Sequence, residues 1–143
     1  MGELEKQYKA LPLETRLALA LSEHLPENYR PFMVCEQWMV IKCYFARRED
    51  LCLQEARALL DDQDHVIRLC IAKRPDLTPD MIERCVNDRD PNVRHAIARH
   101  ERLTAEQRER LIRDIDPLVV RAAAKGGRPV QFRQRPGQAR LIK

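Results

Sequence analysis

The chain is poor in serine and glycine. Ser22 is the only serine among 143 residues, so a serine nucleophile has almost no candidate. The four glycines form no phosphate-binding loop, and the four histidines do not form the His-Glu-x-x-His pattern of zinc peptidases. A cysteine nucleophile stays open, but no cysteine and histidine have a characteristic spacing. These absences predict that the protein is not an enzyme.

The chain also lacks a long apolar run. No stretch reaches the 18 or so apolar residues that a membrane-spanning helix needs, so we predict no contact with a membrane. The five cysteines are odd in number, and some of them stand at positions that a helical pattern predicts to be buried. Free thiols explain this better than a disulfide framework does. We therefore expect a reducing, cytoplasmic setting.

What the sequence does contain is an internal repeat of 26 residues. Residues 51–76, 77–102 and 103–128 align without a gap, and each begins with leucine. A fixed period of this length is typical of repeat proteins, in which each unit stacks on its neighbours. Such proteins present long, rigid surfaces that suit binding, and only rarely a deep catalytic pocket.

Each repeat contains the residues that begin two short helices. Thr78 and Thr104 are predicted to cap the first helix, and Pro79 falls at the first helical position. An Asp-x-Asp turn follows in all three repeats, and its second aspartate is placed to cap a second helix. These second aspartates are Asp64, Asp90 and Asp116.

The apolar columns of the repeat predict the core. The second helix carries apolar residues four positions apart on one face, so each helix pair has an apolar side for a neighbour. These residues are Ile67 and Ile71, Val93 and Ile97, and Val119 and Ala123. The predicted fold is therefore all-α, a short α-solenoid of stacked two-helix repeats.

The first 50 residues are predicted to form an N-terminal helical cap. Residues 25–50 look like a degenerate repeat, in which Trp38 stands where the other repeats have an aspartate. Residues 3–24 are predicted to be one further amphipathic helix, broken near Pro12. Terminal repeats are atypical because they close the core off from water.

The C-terminal end is strongly basic. Residues 117–143 contain seven lysines and arginines and no acidic residue, so residues 1–116 carry a net charge of −3 within a total of +4. Residues 129–143 show neither a helical nor a strand period, and we predict a flexible basic tail. The tail either binds nucleic acid or an acidic protein, or only keeps the last repeat soluble.

The unit Leu-Thr-x-Asp/Glu followed by Asp-x-Asp-Pro-x-Val-Arg-x-x-Ile-Ala resembles the leucine-rich repeat variant and its HEAT-like relatives. The resemblance covers residues 51–125 and is best in residues 77–102. It implies a right-handed superhelical stack with the second helices lining one face. It also implies binding, since HEAT-like families include protein scaffolds and DNA-binding members with arginine and lysine on the concave face.

One protein of the variant family has an iron–sulfur domain just before its repeats, which raises the question of a [4Fe–4S] cluster here. A cluster of this kind needs four thiolates, but the chain has no Cys-x-x-Cys pair. We therefore predict no metal or cofactor and keep the cluster as a minor alternative. Its candidate ligands are Cys35, Cys43, Cys52 and Cys70.

Aromatic residues are concentrated near the N-terminus, where five of the seven fall between residues 29 and 45. They either fill the N-terminal cap, which is the interpretation we favour, or form a groove for a partner. Phe132 in the basic tail is a further candidate anchor. The protein-binding candidates are Tyr29, Phe32, Trp38, Tyr44 and Phe132.

Basic residues form columns across the repeats. Arg68 and Arg94 align, with Arg121 one position out of register. They either bind phosphates or pair with the Asp-x-Asp turns of adjacent repeats, and the equal number of acids favours pairing. The nucleic-acid-binding candidates are Arg68, Arg94, Arg121, Lys125, Arg128, Arg133, Arg135 and Arg140.

The sequence thus predicts a binding module that does no chemistry. A protein–protein interaction adaptor is the first hypothesis, and it would use the concave helix faces, the aromatic N-terminal end, or both. A nucleic-acid-binding protein that uses the arginine columns and the tail is the second. An iron–sulfur-bearing repeat protein is the third.

Overall fold

A computed structural model describes residues 2–127 of the chain. The predicted basic tail, with Phe132 and the arginines from Arg128 onward, lies outside these described residues. The described part divides into two compact units, residues 2–59 and residues 60–127.

Residues 2–127 contain ten α-helices and one short 3-10 helix, and no β-strand occurs among them. The all-α prediction is confirmed for this part of the chain. None of the described helices combines the length and the apolar character that crossing a membrane requires.

The first unit contains α1 to α4 and most of α5. The helices are α1 (Glu3–Ala10), α2 (Leu13–Leu21), α3 (Arg30–Val34), α4 (Met39–Ala46) and α5 (Leu53–Leu60), with a 3-10 helix at Glu27–Tyr29. Helices α2 and α3 both pack against α4. The core at this junction includes Ala20, Met33, Ile41, Phe45 and Ala46, all of which are buried.

The helix predicted over residues 3–24 is broken at Pro12, as the sequence indicates, into α1 and α2. Leu11 and Pro12 both have extended backbone angles, so α1 ends before them and α2 begins after them. Proline has no amide hydrogen to donate, and it disfavours the helical conformation in the residue before it. The break therefore follows directly from Pro12.

The second unit contains five helices. They are α6 (His65–Ala72), α7 (Pro79–Val86), α8 (Pro91–Ile97), α9 (Ala105–Ile112) and α10 (Pro117–Ala124). Helix α8 packs against α6, α7 and α10, and α9 packs against α10. The predicted core residues of the second helices, Ile67, Ile71, Val93, Ile97, Val119 and Ala123, are all buried.

Alternate helices begin at a constant spacing along the chain. The first residues of α2, α4, α6, α8 and α10 are Leu13, Met39, His65, Pro91 and Pro117, which are 26 residues apart in each step. The spacing therefore reaches the first unit, where the amino-acid sequence no longer shows a clear repeat.

The helix caps follow the sequence with one exception. Asp64, Asp90 and Asp116 each accept a hydrogen bond from the backbone N–H two residues later, as predicted. Thr104 forms a full capping box with Gln107. Thr78 does not cap α7 with its side chain, because its hydroxyl donates to Asp80 instead, at 2.6 Å.

Candidate functional site

The start of α4 is where the chain departs from its own pattern. An aspartate occupies the N-cap of α6, α8 and α10 and accepts a capping hydrogen bond there. Trp38 occupies the N-cap of α4, and its side chain makes no capping hydrogen bond. The indole is instead 53% exposed. The largest aromatic side chain of the protein thus lies on the surface at a position that elsewhere has a structural role.

Glu36 holds the backbone of Trp38 in place. Its Oε1 accepts from the backbone N–H of Gln37 at 3.1 Å and of Trp38 at 3.3 Å. The second of these bonds matches the 2.8 Å bond that Asp88 accepts from the N–H of Asp90. Glu36 therefore takes the role of the first aspartate of the Asp-x-Asp turn.

The carboxylate of Glu36 is buried and fully engaged. It accepts from the Tyr8 hydroxyl at 2.6 Å, and Arg16 Nη1 lies 3.1 Å from each of its oxygens. Burial raises the pKa of Tyr8, and the hydrogen bond to Glu36 raises it further because ionising the phenol would place two anions together. One carboxylate thus connects α1 and α2 to the turn before α4.

A cleft of about 280 Å³ lies beside this network. Its lining comes from α1, α2, α3 and the segment before α4, and comprises Glu5, Tyr8, Lys9, Arg16, Phe32, Cys35, Glu36, Gln37 and Trp38. The Tyr8 and Phe32 rings lie 5.5 Å apart between centroids, and Arg16 lies 5.5 Å from the centroid of Tyr8. The cleft is therefore built around aromatic rings.

The charged groups of the cleft are paired with one another. Arg16 pairs with Glu36, and Lys9 pairs with Glu5 at 2.8 Å. Opposite charges cancel within the cleft, and the remaining lining is largely apolar. Phe32 and Trp38, together with the exposed thiol of Cys35, provide that surface.

The two residues that follow Trp38 at the start of α4 are also apolar and exposed. Trp38, Met39 and Val40 follow one another in the chain and are 53%, 44% and 54% exposed. We call Phe32, Cys35, Trp38, Met39 and Val40 the Trp38 surface. The two interpretations of the aromatic segment therefore apply to different residues, because Phe45 is fully buried in the core while Trp38 lies on the surface.

The other predicted protein-binding residues differ in their placement. Tyr29 is half-buried and its ring lies 5.5 Å from that of Tyr8. Tyr44 is half-buried on α4. Phe132 lies outside the described residues.

The arginine column pairs with the Asp-x-Asp turns of the next repeat. Arg68 is only 1% exposed and contacts Asp88 through two hydrogen bonds of 2.9 and 3.1 Å. Arg94 contacts Asp114 in the same way, at 2.7 and 3.1 Å. The hydrogen bonds that Arg68 donates to Asp88 raise the pKa of Arg68. Burial alone would raise the pKa of Asp88, but the bonds from Arg68 and the backbone lower it.

These contacts leave few of the predicted nucleic-acid-binding residues on the described surface. Arg68 is buried and Arg94 is largely covered, whereas Arg121 and Lys125 are exposed. The remaining candidates, Arg128, Arg133, Arg135 and Arg140, lie outside the described residues.

The cysteines do not come together. Cys35 and Cys52 are exposed, Cys43 and Cys70 are half-buried, and Cys85 is buried. No group of three or more histidine, cysteine or acidic side chains within residues 2–127 is arranged to hold a metal ion.

Sequence reasoning missed Tyr8, Lys9, Arg16 and Glu36. A signal for two of them exists, because Arg16 and Glu36 are separated by 20 residues, as are Arg68 and Asp88. Extending the 26-residue columns two periods towards the N-terminus from Arg68 leads to Arg16. No comparable pattern identifies Tyr8 or Lys9.

Comparison of the chain with protein-family models, with curated proteins and with solved structures finds no match.

Proposed function

We propose that this chain is a non-catalytic protein-binding module of the α-solenoid repeat type, and that the Trp38 surface contacts the partner. The observation that carries this proposal is the exposed tryptophan at a helix N-cap, where three equivalent helices have a capping aspartate. An adaptor role agrees with the first hypothesis drawn from the sequence.

Folding alone does not account for Trp38. Replacing a capping aspartate with a residue that cannot cap costs about 1 kcal/mol of helix stability. An indole that is 53% exposed recovers only part of the apolar burial that makes tryptophan valuable in a core. A residue that weakens its helix and stays in solvent is better explained by binding, because tryptophan is enriched among residues that dominate protein interfaces.

The surroundings of Trp38 support the same proposal. Single exposed apolar side chains are common on any protein, but contiguous ones beside a cleft are typical of interaction sites. Met39 and Val40 extend the exposed apolar area, and Phe32 extends it into the cleft. Since tight interfaces have an apolar centre and a polar rim, Lys9 and Gln37 fit the rim.

The arginine pairing gives less support to nucleic-acid binding. Each arginine that neutralises a phosphate must reach the surface, and Arg68 is instead held by Asp88. Among the candidates that fall within residues 2–127, Arg121 and Lys125 are exposed, and two cations are few for a phosphate-binding face in this part of the chain.

The test is affinity capture from cells that express the protein naturally. The bait is the full chain, compared with Trp38→Ala and with Ile115→Ala, whose side chain is 94% exposed and lies outside the Trp38 surface. We expect one protein to be retained by the wild type and by Ile115→Ala, and to fall at least about tenfold with Trp38→Ala. Circular dichroism checks that all three baits are folded.

Two results would contradict the proposal. One is a retained protein whose recovery does not depend on Trp38. The other is recovery that disappears after nuclease treatment, which would favour the nucleic-acid hypothesis.

A further inference from the structure

We infer that the exposed side of α10 is a second docking surface, and that it binds an acidic protein segment with one large apolar side chain. This side consists of Leu118, Arg121 and Lys125, which we call the α10 surface. It shares no residue with the Trp38 surface, so it goes beyond the proposed function and can be tested independently of it.

The α10 surface is one side of a helix. Spacings of three and four residues place Leu118, Arg121 and Lys125 next to one another. Leu118 is 59% exposed, and the two cations are exposed as well. The other side of the helix carries Val119 and Ala123, which are buried in the core. Helix α10 therefore presents an apolar side chain and two cations to solvent along about 10 Å of its length.

Two further arginines lie at the C-terminal end of α10. Arg99 Nε donates to the Gly126 carbonyl at 3.1 Å. Arg108 Nη1 donates to the Ala123 carbonyl at 3.3 Å. These bonds satisfy carbonyls that have no partner within the helix. A carbonyl carries no net charge, so both guanidinium groups remain positive and add to the charge close to Lys125.

The cations at this end of α10 outnumber the carboxylates around them. Residues 99–108 and 117–127 meet here, and together they contain five lysines and arginines and two acidic residues, a net charge of +3. The acidic residues are Glu101 and Glu106, which are both exposed. The two cations of the α10 surface form no ion pair with them or with another carboxylate of the described residues. The excess positive charge is thus not neutralised in this part of the chain.

The occupant that fits this surface is a protein segment and not a nucleic acid. Phosphates gain nothing from Leu118, whereas an apolar side chain of a protein would remove it from water. A phosphate backbone along α10 would also meet Asp116, whose carboxylate caps the start of the helix. A segment with an apolar residue at one end and carboxylates at the other matches both halves of the surface, because complementary charges speed association and reject partners of the wrong sign.

Leu118 and Lys125 set the spacing within the partner. They are seven residues apart on one side of α10, so about 10 Å separates them along the helix. A partner helix would carry its apolar residue and a carboxylate about seven positions apart, and an extended segment about three positions apart. The chain's own residues 128–143 cannot supply this segment, because they contain five basic residues and no acidic one.

The experiment uses a phage-displayed library of random peptides of roughly 12–16 residues, long enough for about four helical turns. The library is panned on the folded full chain, and synthetic copies of the enriched peptides are titrated into the wild type and into variants. We expect at least one family of peptides to combine a large apolar residue with aspartates or glutamates at the stated spacing.

The charge is tested by reversal. Arg121→Glu is expected to weaken such a peptide at least about tenfold, and Lys125→Glu reverses a second charge of the same surface independently. Arg89→Glu, at an exposed cation of the turn before α8, is the matched control and should leave binding unchanged. Raising the salt concentration should weaken binding to the wild type. Circular dichroism shows whether each variant is folded.

The apolar contact is tested by truncation. Leu118→Ala is expected to weaken the acidic peptides at least about threefold, because it removes most of the apolar area that they would cover. Trp38→Ala should leave the same peptides unaffected, since Trp38 is not part of the α10 surface.

The outcomes separate the two proposals. Enriched peptides without acidic residues, acidic peptides that ignore both charge reversals, or a library without enriched peptides overturn this inference. So does binding that survives Leu118→Ala but is displaced by a DNA duplex, because the surface would then select phosphates. If every enriched peptide depends on Trp38, this inference fails and the proposed function stands. If acidic peptides depend on Arg121 and none depends on Trp38, the inference holds and the proposed function loses support.

Discussion

Arg16 and Glu36 form an ion pair in which one guanidinium nitrogen lies 3.1 Å from each carboxylate oxygen. The two residues are 20 positions apart, as are Arg68 and Asp88. The same contact thus occurs in both units, although the gapless sequence repeat begins only at residue 51. In the first unit it has an added consequence, because the carboxylate also positions Trp38.

Removing Glu36 is expected to loosen the turn before α4. Glu36→Ala removes the carboxylate that pairs with Arg16 and accepts from the Tyr8 hydroxyl, and breaking a buried ion pair destabilises a protein by about 3 kcal/mol. Urea denaturation measures the change. Trp38 is the only tryptophan, so its fluorescence reports on the turn directly.

Glu5→Ala is the matched control for that variant. It removes a carboxylate from the same cleft, but its pair with Lys9 lies at the surface, where ion pairs contribute little to stability. Equal stability of the two variants would show that the Glu36 network does not hold the turn.

The buried pair of Arg68 and Asp88 is expected to behave differently when one partner or both are replaced. Asp88→Ala should destabilise the second unit by about 3 kcal/mol, because Arg68 is left as a buried cation. The double variant Arg68→Met, Asp88→Leu should recover most of this loss, since apolar residues of similar volume often replace a buried pair without penalty. Chemical denaturation of the wild type, the single variants Arg68→Met and Asp88→Leu, and the double variant completes a double-mutant cycle.

An exposed pair provides the comparison. Arg113 and Glu109 lie 3.9 Å apart on the surface of α9 and its end, and Glu109→Ala should change the unfolding free energy by less than about 1 kcal/mol. If Asp88→Ala were equally mild, the repeat-to-repeat ion pair would have no role in stability.

His100 is expected to make stability depend on pH. Burial lowers its pKa, and the nearby cation of Arg102 lowers it further, although the backbone at Arg74 and the charge of Glu101 act in the opposite direction. The unfolded chain then binds the proton more readily than the folded one does. The stabilisation is therefore complete above the unfolded pKa of about 6.5 and is lost as the pH falls below it.

His100→Asn tests this prediction. Asparagine does not titrate, and its side-chain oxygen can accept from the Arg102 backbone N–H as His100 Nδ1 does. Melting curves between about pH 7.5 and pH 5 should show a smaller loss of stability in the variant than in the wild type. The other three histidines are common to both proteins, so parallel pH curves would rule out His100 as the cause.

The cysteines are expected to react at different rates with a thiol reagent in the folded protein. Cys35 and Cys52 are exposed and should react first, whereas Cys85 should be protected. Burial raises the pKa of Cys85 to about 12, so almost none of the reactive thiolate is present at neutral pH. Mass spectrometry of the modified peptides gives the order, and early modification of Cys85 would contradict the described packing.

The helices of the second unit could be read from the sequence because their signals are local. Asp90 caps α8 through a bond to a backbone N–H only two residues away, and Pro91 favours the first helical turn whatever surrounds it. The periodic apolar residues Val93 and Ile97 likewise predict burial without knowledge of the neighbours. Because these capping residues and apolar positions recur in three repeats, the helices could be predicted from the sequence.

The first unit was harder to predict because its repeat uses different residues for the same contacts. Glu36 replaces the first aspartate of the turn, and its longer side chain accepts from the backbone N–H two residues later, that of Trp38. Trp38 gives no capping signal, and α4 is apolar on nearly all sides, so its start and its buried face are ambiguous in the sequence. The gapless sequence alignment therefore covers fewer repeats than the 26-residue spacing of the helices does.

By itself, the amino-acid sequence determined the helical class, the positions of most helix starts and the core columns, since each depends on residues within one or two turns of each other. Only the tertiary structure decided which charges are satisfied and which apolar side chains stay in solvent. Arg68 and Arg121 look alike in the sequence, yet one is buried against Asp88 and the other is exposed. Trp38 and Phe45 differ in the same way, since the first is exposed and the second is buried. Burial depends on which helices pack together, and residues that are far apart in the sequence decide that packing.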